Sequence, residues 1–118
     1  MTHDPVQLSA IDEEEIDTIL GSEIDFEGEI LSSESLMIKG KVRGSIRCTA
    51  ELYIAEQAVL QASIEAPKVI VRGTVRGDIT ASSLIAILDW AHVEGALRAP
   101  DIYRSPECFF QGSQELVQ

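Results

Sequence analysis

At 118 residues the chain is long enough for one domain, and with 45% hydrophobic but only 5% aromatic residues it suits a narrow aliphatic interior better than a broad globular core. The net charge of −11 is unevenly placed: residues 1–34 hold 11 of the 20 acids and no Lys or Arg, leaving nine acids against nine basic residues in the remainder. That balance excludes a general nucleic-acid binder, which would have to overcome phosphate repulsion, and no apolar stretch is long enough to span a bilayer nor any basic start suited to a signal peptide.

Residues 1–17, from Met1-Thr-His-Asp-Pro5 through Asp12-Glu-Glu-Glu15, show no strand alternation and read as a disordered acidic tail. Ser9 and Asp12 offer a short capped helix carrying Ile11 and Ile16 as the alternative. From residue 18 the pattern changes. A small residue returns every 15 to 18 positions, at Gly28, Gly44, Ala62, Gly77, Gly95 and Gly112. At the first five of these it is flanked two before by an aliphatic or aromatic residue and two after by an aliphatic one, as in Val42-Arg-Gly44-Ser-Ile46 and Val75-Arg-Gly77-Asp-Ile79. A period that short cannot hold a pair of helices, and the alternation is that of a half-buried strand.

A further strand precedes each of these from the second unit on, in Leu36-Met-Ile38, Leu52-Tyr-Ile54, Val69-Ile-Val71 and Ile85-Ala-Ile87, with Ile102 in the matching place before Gly112. Alternate units match best. Ile38-Lys-Gly-Lys-Val-Arg-Gly-Ser-Ile46 reappears 33 residues later as Val71-Arg-Gly-Thr-Val-Arg-Gly-Asp-Ile79, and Ala66-Pro-Lys-Val69 as Ala99-Pro-Asp-Ile102. Pro67 and Pro100 belong at corners, and Gly40 and Gly73 at turns needing unusual backbone angles. Apolar residues also recur every six positions, from Ile24 to Leu60 and, after a shift of three, from Val69 to Ala99. Three hexads per turn predict an all-β, triangular parallel β-helix, a β-solenoid of about six coils over residues 18–113, with 114–118 as a short C-terminal tail.

Chemistry-bearing constellations are few. His92, with Asp89 or Glu94 as its partner, is the one candidate base for a hexapeptide-type acyltransferase, but the short connections leave no room for acceptor and coenzyme pockets. The bland reading of His92 is an exposed corner residue. Cys48 and Cys108 have neither zinc spacing nor a disulfide framework and read as small reduced apolar residues. No catalytic residue, metal ligand or cofactor site is assigned, and Gly40-Lys41 lacks the spacing of a nucleotide-binding loop. Lys39, Lys41, Arg43, Arg47, Arg72 and Arg76, with Lys68 close by, form a possible stripe for an anionic partner, against the plainer reading of charges that keep strand faces soluble. Trp90 reads as packing over a corner, with an exposed lateral contact as the alternative.

A solenoid closes around its circumference but not along its axis, and no cap is evident at either end. Ile24 and Phe26 at one end and Phe109 and Phe110 at the other are therefore the candidate polymerisation interface, since axial docking buries core and completes ladders.

Thr18-Ile-Leu-Gly21, Ile38-Lys-Gly-Lys-Val-Arg-Gly-Ser-Ile46, Ala66-Pro-Lys-Val-Ile-Val71, Gly73-Thr-Val-Arg-Gly77 and Phe110-Gln-Gly112, in that order, resemble the bactofilins, polymer-forming cytoskeletal proteins of bacteria. The resemblance covers roughly residues 18–113 and implies a right-handed β-helix and no enzymatic activity. It also implies nucleotide-independent, non-polar filaments that scaffold cell shape or place peptidoglycan-remodelling and other envelope proteins. The location it implies is cytoplasmic, reaching to the inner face of the cell membrane. An aromatic residue in the final coil aids polymerisation in this family, and Phe110 holds that position. Some members reach membrane through an apolar or basic N-terminal segment; Met1–Ala10 here is neither.

Overall fold

The computed structural model describes residues 18–116, and the expected acidic tail at 1–17 lies outside them. The described chain is all β: β1 (Thr18–Leu20), β2 (Asp25–Ser32), β3 (Leu36–Ile38), β4 (Lys41–Cys48), β5 (Glu51–Ile54), β6 (Val59–Val71), β7 (Thr74–Arg76), β8 (Ile79–Ile87), β9 (His92–Ala99), β10 (Asp101–Arg104) and β11 (Phe109–Leu116). The last strand continues past residue 113. All the strand pairings are parallel, and each joins one turn of the chain to the next. The result is a parallel β-solenoid of about six coils.

Register stacks like on like. Leu36, Leu52, Val69, Ile85 and Ile102 form one column, and Leu20, Ile38, Ile54, Val71, Ile87 and Arg104 the next. On the following wall stand Phe26, Val42, Leu60, Val75, Val93 and Phe110. Ile30, Ile46, Ile64, Ile79, Leu97 and Gln114 make a fourth column. Within the inner coils these residues fill one continuous core, with Ile38, Leu52, Leu60, Val69, Val75, Ile79, Ile85, Ile87 and Leu97 among its buried members. β-branched and aliphatic side chains suit these ladders because each stacks on a neighbour of similar shape one strand spacing away.

The recurring small residue sits where the chain bends between two walls. Gly28 pairs with Gly44, Gly44 with Ala62, and Gly95 with Gly112. Gly28, Gly44, Gly77, Gly95 and Gly112 all have φ between +127° and +142°, a region L side chains rarely adopt. Gly40 and Gly73 need to be glycine for a different reason from the one their sequence suggests. Neither has a positive φ; instead a Cβ at Gly40 would lie 2.4 Å from the Ile24 carbonyl oxygen, and one at Gly73 2.3 Å from that of Ala55. Close approach of adjacent coils, not backbone angle, fixes them.

Pro67 lies at the register shift between Ala66 and Lys68, and Pro100 in the bend between β9 and β10, so neither removes a donor from a regular ladder. The corner at Trp90 departs from its expected packing: Trp90 has φ 68° and a side chain that is 79% exposed. The Asp89 carboxylate accepts a hydrogen bond from the buried Ser105 hydroxyl, and Trp90 N–H donates to Glu107 O at 3.1 Å, which ties this corner to the last coil.

Candidate polymerisation interface

Inner coils pair on both sides, whereas among the described residues β1 and β2 pair only with the second coil and β10 and β11 only with the fifth. Among the described residues, each end therefore presents backbone donors and acceptors with no strand partner around a cut face of the core. One ladder shows the consequence in its residues. Val42, Leu60, Val75 and Val93 are at most 1% exposed, and the column is closed at both ends by an aromatic ring, Phe26 below and Phe110 above, each half-buried against the core.

The two ends differ chemically. At the N-terminal end Leu20, Phe26 and Ile30 are apolar core positions, with Ile24 38% exposed at the corner beside them, while the small polar residues Thr18 and Ser32 stand below Leu36 and Cys48. At the C-terminal end two core columns finish in polar residues, Arg104 above Ile87 and Gln114 above Leu97. The Arg104 guanidinium lies over the Phe110 ring, 5.0 Å from its centroid, a cation–π contact that partly covers the apolar face. Neither residue is evident from sequence as a cap; the signal is a long polar side chain arriving on a core register in the final coil.

Phe109 and Phe110 are neighbours in sequence but not in space. Strand alternation puts Phe110 on the core column and Phe109 on the outer wall, in register with His92 and Thr74. Phe109 is 51% exposed and stacks on the His92 ring at 4.3 Å between centroids. His92 Nε2 is 2.8 Å from Glu94 Oε2, and Arg76 Nε is 3.5 Å from the same oxygen. Glu94, not Asp89, is thus the histidine's carboxylate partner, and the group is a half-exposed ion-pair cluster on a flat wall.

The basic residues are distributed around the circumference. Lys39 and Arg72 stand on the wall of β3 and β5; Lys41, Arg43 and Arg76 on the next; Arg47 on the third. Most of them have an acidic neighbour. Arg47 pairs with Glu65 at 3.2 Å, Arg72 with Glu56 at 3.1 Å and Lys68 with Glu51 at 3.9 Å, while Lys41 and Arg43 stack on Asp25 and Glu27 of the first coil. Two basic pairs share a column, Arg43 and Arg76 with Gln61 between them and Lys39 and Arg72 with Ala55 between them. Among the described residues no cluster of His, Cys, Asp and Glu has the makings of a metal site, and no helix is long and apolar enough to cross a membrane.

Comparison with known proteins agrees with this geometry. A family model described as "Bactofilin: Polymer-forming cytoskeletal" matches residues 18–115. Bactofilin BacO of Myxococcus xanthus (strain DK1622) is 40% identical over 52 residues, which is 44% of this chain and 41% of that relative, so the match spans less than half the relative's length. No solved structure matches. With the family model matched from the first residue of β1 to the penultimate residue of β11, the chain belongs to the bactofilins, a family of polymer-forming structural proteins rather than enzymes, and self-association comes with that membership.

Proposed function

We propose that this chain is a cytoplasmic scaffold subunit that polymerises through its terminal coils, without nucleotide, and positions cell-shape or envelope-associated proteins at the inner face of the membrane. The observation that carries the reading is the pair of terminal coils that, among the described residues, pair on one side only, each with an aromatic ring closing the same core column. Docking of one end on another completes backbone ladders and buries Phe26 or Phe110. Burial on that scale is worth about 1.5–3 kcal/mol per large side chain and calls on no phosphate chemistry.

The test is Phe110→Arg. A second guanidinium beside Arg104 replaces an apolar contact with two like charges that docking would have to desolvate. The variant should keep its strand circular dichroism while filaments seen by negative-stain electron microscopy shorten or vanish. Long filaments from a folded Phe110→Arg protein would count against the C-terminal end as a docking surface, and the same substitution at Phe26 examines the other end.

A further inference from the structure

At one edge of the solenoid the corner changes length from coil to coil. Four residues lie between β1 and β2, β5 and β6, β8 and β9, and β10 and β11, but only two between β3 and β4 and between β6 and β7. The longer corners are turns, closed by hydrogen bonds from Ile24 N–H to Gly21 O, Ala58 N–H to Ala55 O, Ala91 N–H to Leu88 O and Cys108 N–H to Ser105 O. Lys39, Ala55, Arg72, Leu88 and Ser105 open successive corners and stand in one file, each donating its N–H to the last strand residue of the coil before. With the core on the inside, the two extra residues of a long corner bulge outward. Ser22-Glu23, Glu56-Gln57 and Asp89-Trp90 are accordingly exposed. Gly40 and Gly73, on the short corners, are buried against the carbonyl oxygens that bracket the preceding turn, Gly21 and Ile24 for one, Ala55 and Ala58 for the other.

The first five corners therefore make a toothed edge, with turns on coils one, three and five and notches on coils two and four. Turns on either side of a notch are two strand spacings apart, roughly 10 Å, which admits one further turn. Charge alternates with shape. The turns carry Glu23, Glu56 and Asp89 and no base, whereas the notches carry Lys39 and Arg72 and no acid. Arg72 lies 3.1 Å from Glu56 on the neighbouring coil, yet the Glu56 side chain keeps 71% of its surface in solvent. Trp90 stands where the other turns have Glu23, Gln57 and Glu107, and its indole is 79% exposed on a corner held at φ 68°. A large apolar side chain presented to solvent on a strained corner suits a contact surface.

We propose that this edge is a lateral interface with the same edge of a second copy, the turns of each seated in the notches of the other. Shape and charge select that occupant together. Facing without displacement, turn would meet turn and acid would meet acid. An identical edge that is displaced by one coil, or reversed end for end, instead sets Glu56 against the neighbour's Arg72. Both arrangements also set Trp90 against a notch, where the Lys39 or Arg72 cation meets the indole face. Coil six ends the match, since it carries the Pro106-Glu107 turn where alternation would place a notch. The interface runs along the side of the rod, so it and end-to-end docking can each fail while the other stands.

The experiment is cross-linking of the full chain in a Cys108→Ala background. Ala58 and Ala91 hold the same column in other coils, and the remaining Cys48 is buried. In either arrangement Gln57 lies one strand spacing along the axis from its counterpart, roughly 5 Å. With a short bis-maleimide, Gln57→Cys should form covalent dimers roughly ten-fold faster than Ser83→Cys, which is exposed at a different corner. Adding Arg72→Glu should remove that advantage while strand circular dichroism is retained, and the paired exchange Glu56→Arg with Arg72→Glu should restore it. Trp90, the chain's one tryptophan, should emit at shorter wavelength in the linked dimer than in the free chain. Equal rates at the two cysteine sites, linking unaffected by Arg72→Glu, or failure of the paired exchange to restore it would overturn the proposal.

Discussion

Replacing Gly95 with Ala and replacing Gly28 with Ala impose the same backbone demand but different steric ones, and the difference between them measures how tightly the coils stack. Both glycines have φ near +142° (Gly28 +141°, Gly95 +142°), where a side chain costs about 1–3 kcal/mol. A Cβ on Gly28 has only the Phe26 ring nearby, at 3.5 Å, because the small-residue column begins there. A Cβ on Gly95 would lie 2.0 Å from the Gly77 carbonyl oxygen, a full 1.0 Å inside the 3.0 Å limit below which such contacts are essentially never found. Relief requires moving one coil from the next at a point where Gly77 N–H donates to Glu94 O at 2.9 Å. A buried backbone hydrogen bond lost this way adds about 1–3 kcal/mol. Gly28→Ala should therefore cost about 1–2 kcal/mol and Gly95→Ala about 3–5 kcal/mol, a separation of roughly 10 °C or more in Tm for a domain of this size. Thermal unfolding followed by circular dichroism, both changes made in the Phe110→Arg background to hold off assembly, reads the difference. Equal losses at the two sites would refute close coil approach as the reason for glycine at Gly95.

Other outcomes follow from single residues. Trp90→Asn should raise stability by about 1 kcal/mol in urea unfolding, since Asn tolerates φ 68° and little burial is lost from a side chain that is 79% exposed. Leu60→Ala, in a fully buried column, should cost about 2–5 kcal/mol by the same measurement. Burial, helped by the hydrogen bond its hydroxyl donates to Glu51, holds the Tyr53 phenol's pKa well above its ordinary value of 10.0. The folded state then keeps a proton that the unfolded state releases, so the stability present below about pH 10 should fall as pH rises beyond it, and Tyr53→Phe should flatten that decline. His92→Ala should leave filaments intact and cost at most about 1 kcal/mol, because it removes one half-exposed ring stack and one half-exposed hydrogen bond to Glu94.

The stacked middle residues Met37, Tyr53, Ile70 and Ala86 show what sequence patterning made visible and what went unread. Leu36-Met-Ile38, Leu52-Tyr-Ile54, Val69-Ile-Val71 and Ile85-Ala-Ile87 are legible as strands, but three apolar residues in succession, against strict alternation elsewhere, also mark a wall buried on both faces. Phe109 and Phe110 show the converse. Their composition marks them jointly as an end surface, while the register of β11 sends one to the core column and the other to the side of the rod.

Sequence by itself determined the coil length, the parallel stacking and the place of the small-residue column, because a repeat of 15 to 18 residues with a period-two interior admits few arrangements that bury every apolar position. Only the tertiary structure decided which charges are neighbours, why Gly40 and Gly73 are glycine, and where the core columns stop. The physical reason is register. A shift of one or two residues at a corner, as at Pro67, leaves the apolar period readable but changes which side chains share a column, and proximity between coils is set by that alignment rather than by spacing along the chain.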